Sequence, residues 1–267
     1  MKKIICTLPA LLLLLSAYGQ QKQGKVVYER TTQMEMHIQG FADDVPQSLP
    51  RSYKDKLEVL FGNDQSLRRT VEDDMPEEFT QREGGMEFHM VVAGAGDVTY
   101  SNLATGQVVE QKEFAAKNYI VTDSIQHLNW KLTGATSTIL NYPCQQAVTQ
   151  RIGKRANTTM ENGKLETKEV PDTANIVVWF TPAIPVPAGP EYQGQLPGLI
   201  LGIDINDGRV VYRATALSEK TDLAVLKAPS KGKKVTMAEF EKERDKMMSG
   251  MQRANGTRLM GTTRISQ

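Results

Sequence analysis

Residues 199–217 read LILGIDINDGRVVYRATAL. Two apolar runs, Leu199 to Ile205 and Arg209 to Leu217, flank the turn signal Asn206-Asp207-Gly208. Asp-Gly between apolar runs is typical of an antiparallel hairpin, because these residues accept the positive φ angles that a tight hairpin turn requires. This stretch is the strongest hairpin signal in the chain, and it predicts a fold built from antiparallel strands.

The segment before this hairpin is dense in proline and glycine. Five prolines and three glycines fall between residues 181 and 198. Fixed φ angles and missing N–H donors exclude both a helix and a central strand, so the sequence predicts an extended, stiff loop. Pro197 followed by Gly198 suits a type II turn, in which the glycine supplies a positive φ.

Most of the remaining chain predicts further antiparallel strands. Lys25 to Ile38 alternates apolar and polar residues, and Gly62-Asn63-Asp64-Gln65 is a second hairpin signal. Residues 153–171 are polar, with a hairpin tip expected at Glu161-Asn162-Gly163-Lys164. Thr236-Met237-Ala238-Glu239 is a capping box that opens an amphipathic helix. The expected fold is mainly β (α+β): a single strongly curved antiparallel sheet or half-barrel with one C-terminal helix.

The N-terminus predicts export. Met1-Lys2-Lys3, the apolar run Ile4 to Leu15 and the small residues up to Gly19 have the order of a secretory signal peptide. The run is shorter than the ~20 residues that a membrane-spanning helix needs. We expect a soluble periplasmic or secreted protein of the bacterial envelope with no transmembrane segment. Its expected parts are a signal peptide (1–19), an antiparallel β domain (20–235), a helix (236–253) and a disordered tail (254–267).

Composition and motifs narrow the class of function. The 32 basic and 31 acidic residues nearly balance, which argues against a nucleic-acid partner. Neither a Gly-x-Ser-x-Gly elbow nor a His-Glu-x-x-His helix occurs in the sequence, so we expect no enzyme and no cofactor. Cleavage of the signal peptide leaves one cysteine, Cys144, for which three alternatives stand: a buried thiol, a disulfide that links a dimer, or a metal ligand.

A series of landmarks between Lys117 and Leu217 resembles a known family. It includes Asn141-Tyr142-Pro143-Cys144, Val178-Trp179-Phe180-Thr181 and Leu196-Pro197-Gly198-Leu199-Ile200. Their order is similar to that of the GLPGLI family of secreted bacterial envelope proteins. Gln195 departs from the pattern, because it stands where the motif has its first glycine. The resemblance implies an exported, β-rich protein and carries no established activity.

Three hypotheses of function follow. The first is a non-enzymatic binding or carrier module for an apolar or envelope-derived ligand, because a stiff loop over a curved sheet can enclose an apolar pocket. The alternative for the same loop is a purely structural one, in which it is locked onto the sheet. The residues expected at the rim of the pocket are Trp179, Tyr192, Leu196, Pro197, Gly198 and Leu199.

The second hypothesis is a copper or zinc site. Met34-Glu35-Met36-His37 and Met86-Glu87-Phe88-His89-Met90 are near copies, and thioether with imidazole suits Cu(I). Strand alternation places the methionines and the histidines on opposite faces, so core methionines with solvent-facing histidines are the alternative. The third hypothesis is a structural or interaction partner of an outer-membrane assembly, which docks through exposed edge strands. The candidate metal ligands are Met34, Met36, His37, Met86, His89 and Met90.

Overall fold

A computed structural model of the chain describes residues 21–33, 52–71, 79–83, 86–90, 96–161 and 164–254. The predicted signal peptide and the predicted tail beyond Ala254 lie outside these residues. Within the described part of the chain, no helix is both long and apolar enough to cross a membrane.

Strands dominate the structure. The chain order is β1 (Gly24–Gln33), β2 (Ser52–Gly62), β3 (Gln65–Thr70), β4 (Phe79–Glu83), β5 (Met86–Met90), β6 (Val98–Asn102), β7 (Gln107–Phe114), β8 (Lys117–Ser124), β9 (Lys131–Ile139), β10 (Tyr142–Glu161), β11 (Lys164–Thr181), β12 (Leu199–Ile205), β13 (Val210–Ser218) and β14 (Lys233–Val235). A short 3-10 helix (Leu223–Val225) precedes β14, and one α-helix, α1 (Met237–Ala254), follows it.

Twelve of these strands form one curved, open sheet in the order β14-β8-β7-β6-β3-β2-β1-β13-β12-β11-β10-β9, and β4 pairs with β5 in a separate hairpin. Neighbouring strands are antiparallel except β14, which pairs parallel to β8. The prediction of a mainly β chain with one curved antiparallel sheet and a C-terminal helix is confirmed.

Two of the three predicted hairpin turns form as expected, and at the third Glu161 pairs with Lys164 while residues 162–163 lie outside the described residues. Asn63 and Asp64 have φ angles of 51° and 54°, and Asn206 and Asp207 have 54° and 52°. Asparagine and aspartate tolerate this left-handed region better than most residues, which is why the turns are visible in the sequence. Leu140 is also left-handed, with a φ of 50°, at the turn between β9 and β10, and its residue type gives no such signal.

One face of the sheet, called here the core face, carries Val26, Tyr28, Val59 and Phe61, all fully buried. Directly opposed residues such as Val26 and Val59 share a face, so this apolar surface runs without interruption across neighbouring strands. The Pro-rich loop (residues 182–198) crosses it and buries Ile184 in the same cluster. The core face is therefore covered by the chain's own loop.

Backbone hydrogen bonds attach the Pro-rich loop to the first residues of β12. The Leu199 N–H donates to the Ile184 carbonyl at 3.0 Å, and the Ile200 N–H donates to the Ala188 carbonyl at 2.9 Å. The buried Tyr28 hydroxyl donates to the Ile200 carbonyl at 2.6 Å. These bonds satisfy backbone groups that proline-rich segments cannot pair by regular secondary structure.

Gly198 is required by space and not by its φ angle. A Cβ at this position would collide with the backbone carbonyl of Thr181 and lie 3.1 Å from the Cα of Pro182. Gly198 is not among the glycines with positive φ, so the expected type II turn with a left-handed Gly198 is wrong. The glycine instead lets the end of the loop cross close to its own beginning.

Two further clusters complete the fold. On the face opposite the core face, Leu60, Leu67 and Ile120 pack against Leu226, which follows the 3-10 helix. Helix α1 packs its Phe240 ring edge-on against Tyr119 of β8, with the ring centroids 5.2 Å apart. The predicted capping box is confirmed by two reciprocal bonds. The Thr236 N–H donates to Glu239 Oε2 at 2.8 Å, and the Glu239 N–H donates to Thr236 Oγ1 at 3.2 Å.

We expect Gly198→Ala to lower the free energy of unfolding by about 3 kcal/mol, because the new methyl group meets backbone that cannot move aside. Gly153→Ala is the matched control, since nothing lies within 4 Å of a Cβ at that position. Urea unfolding of both variants measures the difference. Equal stability of the two variants would contradict the close approach at Gly198.

Candidate functional site

The structure divides the six predicted rim residues between two apolar clusters. Leu199 and the half-buried Trp179 pack in the cluster around Val26 and Tyr28. Leu196 and the half-buried Tyr192 pack in a second cluster, around Ile176 and Phe180. Of the remaining two, Pro197 is exposed and Gly198 is buried. Trp179 and Tyr192 thus do not form one aromatic rim.

Tyr192 instead meets an aromatic residue that the sequence analysis did not select. Its ring stands edge-on to Trp130, with centroids 5.5 Å apart at an interplanar angle of 72°. Gln195 Oε1 accepts hydrogen bonds from Trp130 Nε1 at 2.9 Å and from the Leu128 N–H at 3.0 Å. The residue that departs from the family motif therefore ties the Pro-rich loop to the segment before β9, which a glycine could not do.

Side chains fill the space between the Pro-rich loop and the core face. Phe61, Ile184, Leu199 and Leu201 are each at most 1% exposed. An open cleft of about 460 Å³ lies elsewhere, where the start of the described chain meets the end of β13. Its lining is polar and comprises Gln21, Lys22, Gln23, Glu219, Lys220 and Thr221. The arrangement beneath the loop has the character of a packed core and not of a ligand pocket.

A buried arginine holds the middle of the Pro-rich loop. Arg68 of β3 forms an ion pair with Glu191, donates to the Pro190 carbonyl at 3.1 Å, and donates to Thr99 Oγ1 at 3.0 Å. The Tyr212 hydroxyl donates to the same Glu191 carboxylate at 3.2 Å. Burial raises the pKa of Tyr212 above its ordinary value, and the negative charge of Glu191 adds to the shift.

A second buried ion pair lies one strand away. Arg30 of β1 donates to both carboxylate oxygens of Asp55, its direct partner on β2, and the two side chains are 6% and 0% exposed. Burial alone would lower the pKa of Arg30, but the hydrogen bond and the charge of Asp55 outweigh it, so the pKa lies above the ordinary value. Fork-to-fork geometry of this kind is the strongest form of an arginine–carboxylate contact.

Register shows that these polar groups share the core face with the apolar residues. Arg30 lies opposite both Asp55 and Tyr212, and Arg68 lies opposite both Val59 and Thr99. Each guanidinium is neutralised by a carboxylate, so neither is left to bind an external anion. The network can hold the loop and fix the register of the strands. The sequence offered no signal for it, because strand partners distant in sequence are set by the fold.

The six candidate metal ligands fall in two separate segments of the chain. Met34, Met36 and His37 are outside the described residues, while Met86, His89 and Met90 belong to β5, for which the backbone alone is described. β5 pairs with β4 and belongs to the separate hairpin. In the described part of the chain, no group of three or more His, Cys, Asp or Glu could hold a metal ion.

Cys144 is a buried free thiol. It is 1% exposed in the cluster that contains Val26 and Tyr28, and its Sγ donates to the Tyr142 carbonyl at 3.4 Å. Burial raises the pKa of the thiol, which disfavours the reactive thiolate. The buried-thiol alternative is confirmed, and a disulfide to a second copy would require this core to open.

The hairpin of β10 and β11 extends well past its neighbours. β9 pairs with β10 as far as Val148, and β12 pairs with β11 from Ile176 onward. Between these points and the tip, residues 150–161 and 164–175 pair with each other and with no other strand among the described residues. This two-stranded segment, called here the ribbon, spans about 40 Å. Ile152 within it is 84% exposed.

Comparison with known families finds one similar model. The family described as Porph_ging, a protein family of unknown function, matches residues 130–202. These residues run from Trp130 through β9, β10, β11 and the Pro-rich loop into β12, and they include the landmarks that resemble the GLPGLI family. The match supports a family of unknown function, and the name GLPGLI stays a prediction. No curated protein matches the chain.

Comparison with solved structures finds a similar fold in part of a longer protein. Two structures of PNGF-II, in different crystal forms, are 16% identical to the chain with TM-scores of 0.50 and 0.49. Each match covers 84% of this chain and 33% or 34% of the PNGF-II chain. The chain thus spans about a third of the length of the proteins it matches. At this level of identity the likeness concerns the fold alone.

Asp55→Asn is expected to lower the free energy of unfolding by about 3–5 kcal/mol, because it leaves the Arg30 charge buried without its counterion. Glu29→Gln is the matched control on the same pair of strands. Glu29 pairs with Lys54 on the surface, where the side chains are 38% and 61% exposed, so its loss should cost less than about 1 kcal/mol. Chemical denaturation distinguishes the two. A loss at Asp55 no larger than at Glu29 would contradict a desolvated pair.

Cys144 should react with a maleimide about a hundredfold more slowly in the folded protein than in denaturant, because labelling requires opening of the core. A Cys144→Ala/Ser137→Cys variant provides the control, since Ser137 is exposed and lies directly opposite Cys144 on β9. Mass spectrometry of the quenched reaction gives both rates. Rapid labelling of native Cys144, or a disulfide-linked dimer of the native protein, would show that the thiol is accessible.

Proposed function

We propose that this chain is an exported, non-enzymatic binding module that docks a protein partner through the ribbon. This is the binding hypothesis combined with the interaction hypothesis of the sequence analysis. The observation that supports it best is the ribbon itself, which extends past the sheet and in which neither strand pairs with a third strand among the described residues.

Physical chemistry supports a partner at this position. A two-stranded ribbon in water is marginally stable, because it buries little apolar surface and exposes many backbone hydrogen-bonding groups. Exposed N–H and C=O groups along a strand form a ready template for another strand. The 84% exposed Ile152 adds apolar contact area at the base of the ribbon. A partner strand would satisfy these groups and bury this side chain.

The packing of the core face favours a module that docks a protein partner over a carrier that encloses an apolar ligand. A carrier needs an open apolar cavity, and the loop's own side chains occupy the space under it. The two arginines of the core face are neutralised by Asp55 and Glu191.

Export is the second part of the proposal. It is supported by the order of charged, apolar and small residues up to Gly19. An extracytoplasmic binding module can also form one part of a longer protein, and the likeness to about a third of the PNGF-II chains agrees with a fold that is used as a part.

Site-specific photocrosslinking in intact cells tests the proposal. With p-benzoylphenylalanine at Ile152, we expect one dominant adduct with another protein, recovered from the periplasmic or outer-membrane fraction. The mature N-terminus, sequenced by mass spectrometry, should be Gln20. Val225 is the control position, because it is also apolar and exposed but lies in the 3-10 helix away from the ribbon.

Adduct formation that is equal at Ile152 and Val225 would reflect collision and not docking, and would contradict the proposal. An adduct only within the same chain at Ile152 would show that another segment of the protein covers the ribbon, which also contradicts it. Retention of residues 1–19 with a cytoplasmic location would contradict the export part independently.

A further inference from the structure

We infer that the side chains of Lys112 and Asp97 join in an amide cross-link between β7 and the residue before β6, with Glu110 as the group that moves the protons. This inference goes beyond the proposed function, because it concerns a covalent bond that the folded chain makes with itself. Three observations carry it: the contacts among the three side chains, their burial, and the hydrogen bond that one Asp97 oxygen accepts from the backbone.

The sheet brings the three side chains together on the core face. Lys112 and Glu110 are two residues apart on β7, so both side chains point to the same face. Glu110 is the direct partner of Thr99 on β6, which belongs to the core face. Asp97 directly precedes β6 and is two residues from Thr99, so alternation places it on the same face.

The Lys112 amine stands between the two carboxylates. Its Nζ lies 3.2 Å from Glu110 Oε2 and 4.0 Å from Asp97 Oδ2. The side chains of Lys112, Asp97 and Glu110 are 12%, 13% and 17% exposed, so little water reaches them. A lysine attacks a carboxyl group only after it has lost a proton, and Glu110 is within reach to accept that proton.

Asp97 has the environment of a carboxyl group that takes up a proton. Burial raises the pKa of Asp97 above its ordinary value, and this effect outweighs the opposing positive charges of Lys112 and Arg68. The negative charge of Glu110 also raises the pKa of Asp97. The neutral acid is the form to which an amine adds, since a carboxylate repels the electron pair of the nucleophile.

The two oxygens of Asp97 have different surroundings. Oδ1 accepts a hydrogen bond from the Glu113 N–H at 3.0 Å, whereas Oδ2 lies toward the Lys112 amine. A fixed backbone donor stabilises the negative charge that develops on Oδ1 when the amine adds to the carboxyl carbon. Oδ2 is therefore the oxygen that leaves as water.

The cross-link forms with the loss of one water molecule. The Lys112 ammonium first gives a proton to the Asp97 carboxylate by way of Glu110, which leaves a neutral amine and a neutral acid. The nitrogen then bonds to Asp97 Cγ, and the C=O electron pair moves to Oδ1. Glu110 takes a second proton from the nitrogen and delivers it to Oδ2. The Cγ–Oδ2 bond breaks as the C=O bond is restored, and no oxidant, reductant or cofactor takes part.

Adjacent strands supply the proximity that this reaction needs. Groups held in a well-oriented arrangement react as if their concentration were on the order of 10⁵ M or more. The reacting atoms must approach to about 3–3.5 Å, and the flexible four-carbon stem of Lys112 allows the amine to do so while the backbone stays in place. The product would tie the start of β6 to β7 in a chain whose described residues contain one free cysteine.

A second lysine–carboxylate pair on the sheet serves as an internal control. Lys25 Nζ lies 3.4 Å from Glu58 Oε2, which is closer than the 4.0 Å of the proposed cross-link. The Lys25 side chain is 41% exposed, however, and Glu58 also pairs with Arg69 at 2.7 Å. Water and the second cation stabilise the charged forms, so we expect this pair to remain an ion pair.

Mass spectrometry of the mature chain under denaturing conditions tests the inference. We expect the intact chain to be lighter than its sequence by the mass of one water molecule. A proteolytic digest should contain a branched peptide that joins Asp97 to Lys112, and fragmentation should locate the bond at these two residues. No branched peptide should join Lys25 to Glu58.

Four variants assign the roles. Lys112→Arg keeps the positive charge without the reactive amine, and Asp97→Ala removes the carbon under attack, so both chains should have their full mass. Glu110→Gln keeps the shape and removes the proton acceptor, so most of this chain should stay uncross-linked. Glu113→Gln keeps the backbone N–H and should cross-link like the wild type. Circular dichroism and thermal unfolding verify that each variant folds.

A wild-type chain of full mass that yields no branched peptide overturns the inference. A loss of water that persists in Lys112→Arg also overturns it, because the bond would then lie elsewhere. Complete cross-linking of Glu110→Gln would show that Glu110 does not move the protons. Photocrosslinking at Ile152 does not depend on this bond, so the inference and the proposed function can each fail alone.

Discussion

The packing of the Pro-rich loop onto the core face is the constraint on which the rest of the structure depends. A curved sheet with one apolar face must bury that face, and the chain does so with a segment that has few backbone donors of its own. The loop succeeds because its carbonyls accept bonds from β12 and from Arg68, and because Gly198 lets its two ends cross. The same packing removes the space that a carried ligand would need.

The charged side chains inside this core carry a desolvation cost, and they also constrain the register of the strands. Burying Arg30 and Arg68 is unfavourable unless each meets a carboxylate with good geometry. Each arginine meets such a carboxylate: Arg30 pairs with Asp55 and Arg68 pairs with Glu191. The two ion pairs connect β1 with β2 and β3 with the Pro-rich loop. A shift of one residue in strand register would turn these groups to the other face of the sheet and leave them unpaired. We therefore interpret the pairs as determinants of register more than as sources of stability.

The sequence predicted the features that depend on residues adjacent in the chain. The turns at Asn63-Asp64 and Asn206-Asp207, the capping box at Thr236 and the irregular course of residues 182–198 each follow from the conformational preferences of a few adjacent residues. The partners of Arg30 and Arg68 could not be predicted in this way, because Asp55 and Glu191 lie 25 and 123 positions away. Gly198 illustrates the same limit: the need for glycine was visible, but its cause is a contact with Thr181 across the loop.

The ribbon was the part of the structure that the sequence predicted least well, because it is defined by the absence of a third strand beside β10 and β11 among the described residues. A polar stretch such as 153–171 indicates exposure, and only the ends of β9 and β12 show that its strands stand alone. The other edges of the main sheet carry features that discourage strand addition. β14 is three residues long and begins with two lysines, and the ladder of β9 is interrupted opposite Gln146 by a bulge at Gly134, whose φ is 81°. Within the ribbon, β11 contains Pro171, which has no N–H to donate to an added strand. Residues 150–161 of β10 contain no proline and pair with β11 without a register shift, so their outer edge has no feature that discourages strand addition. An open edge of this length can pair with a strand of another chain, which is the physical reason to propose it as a docking surface.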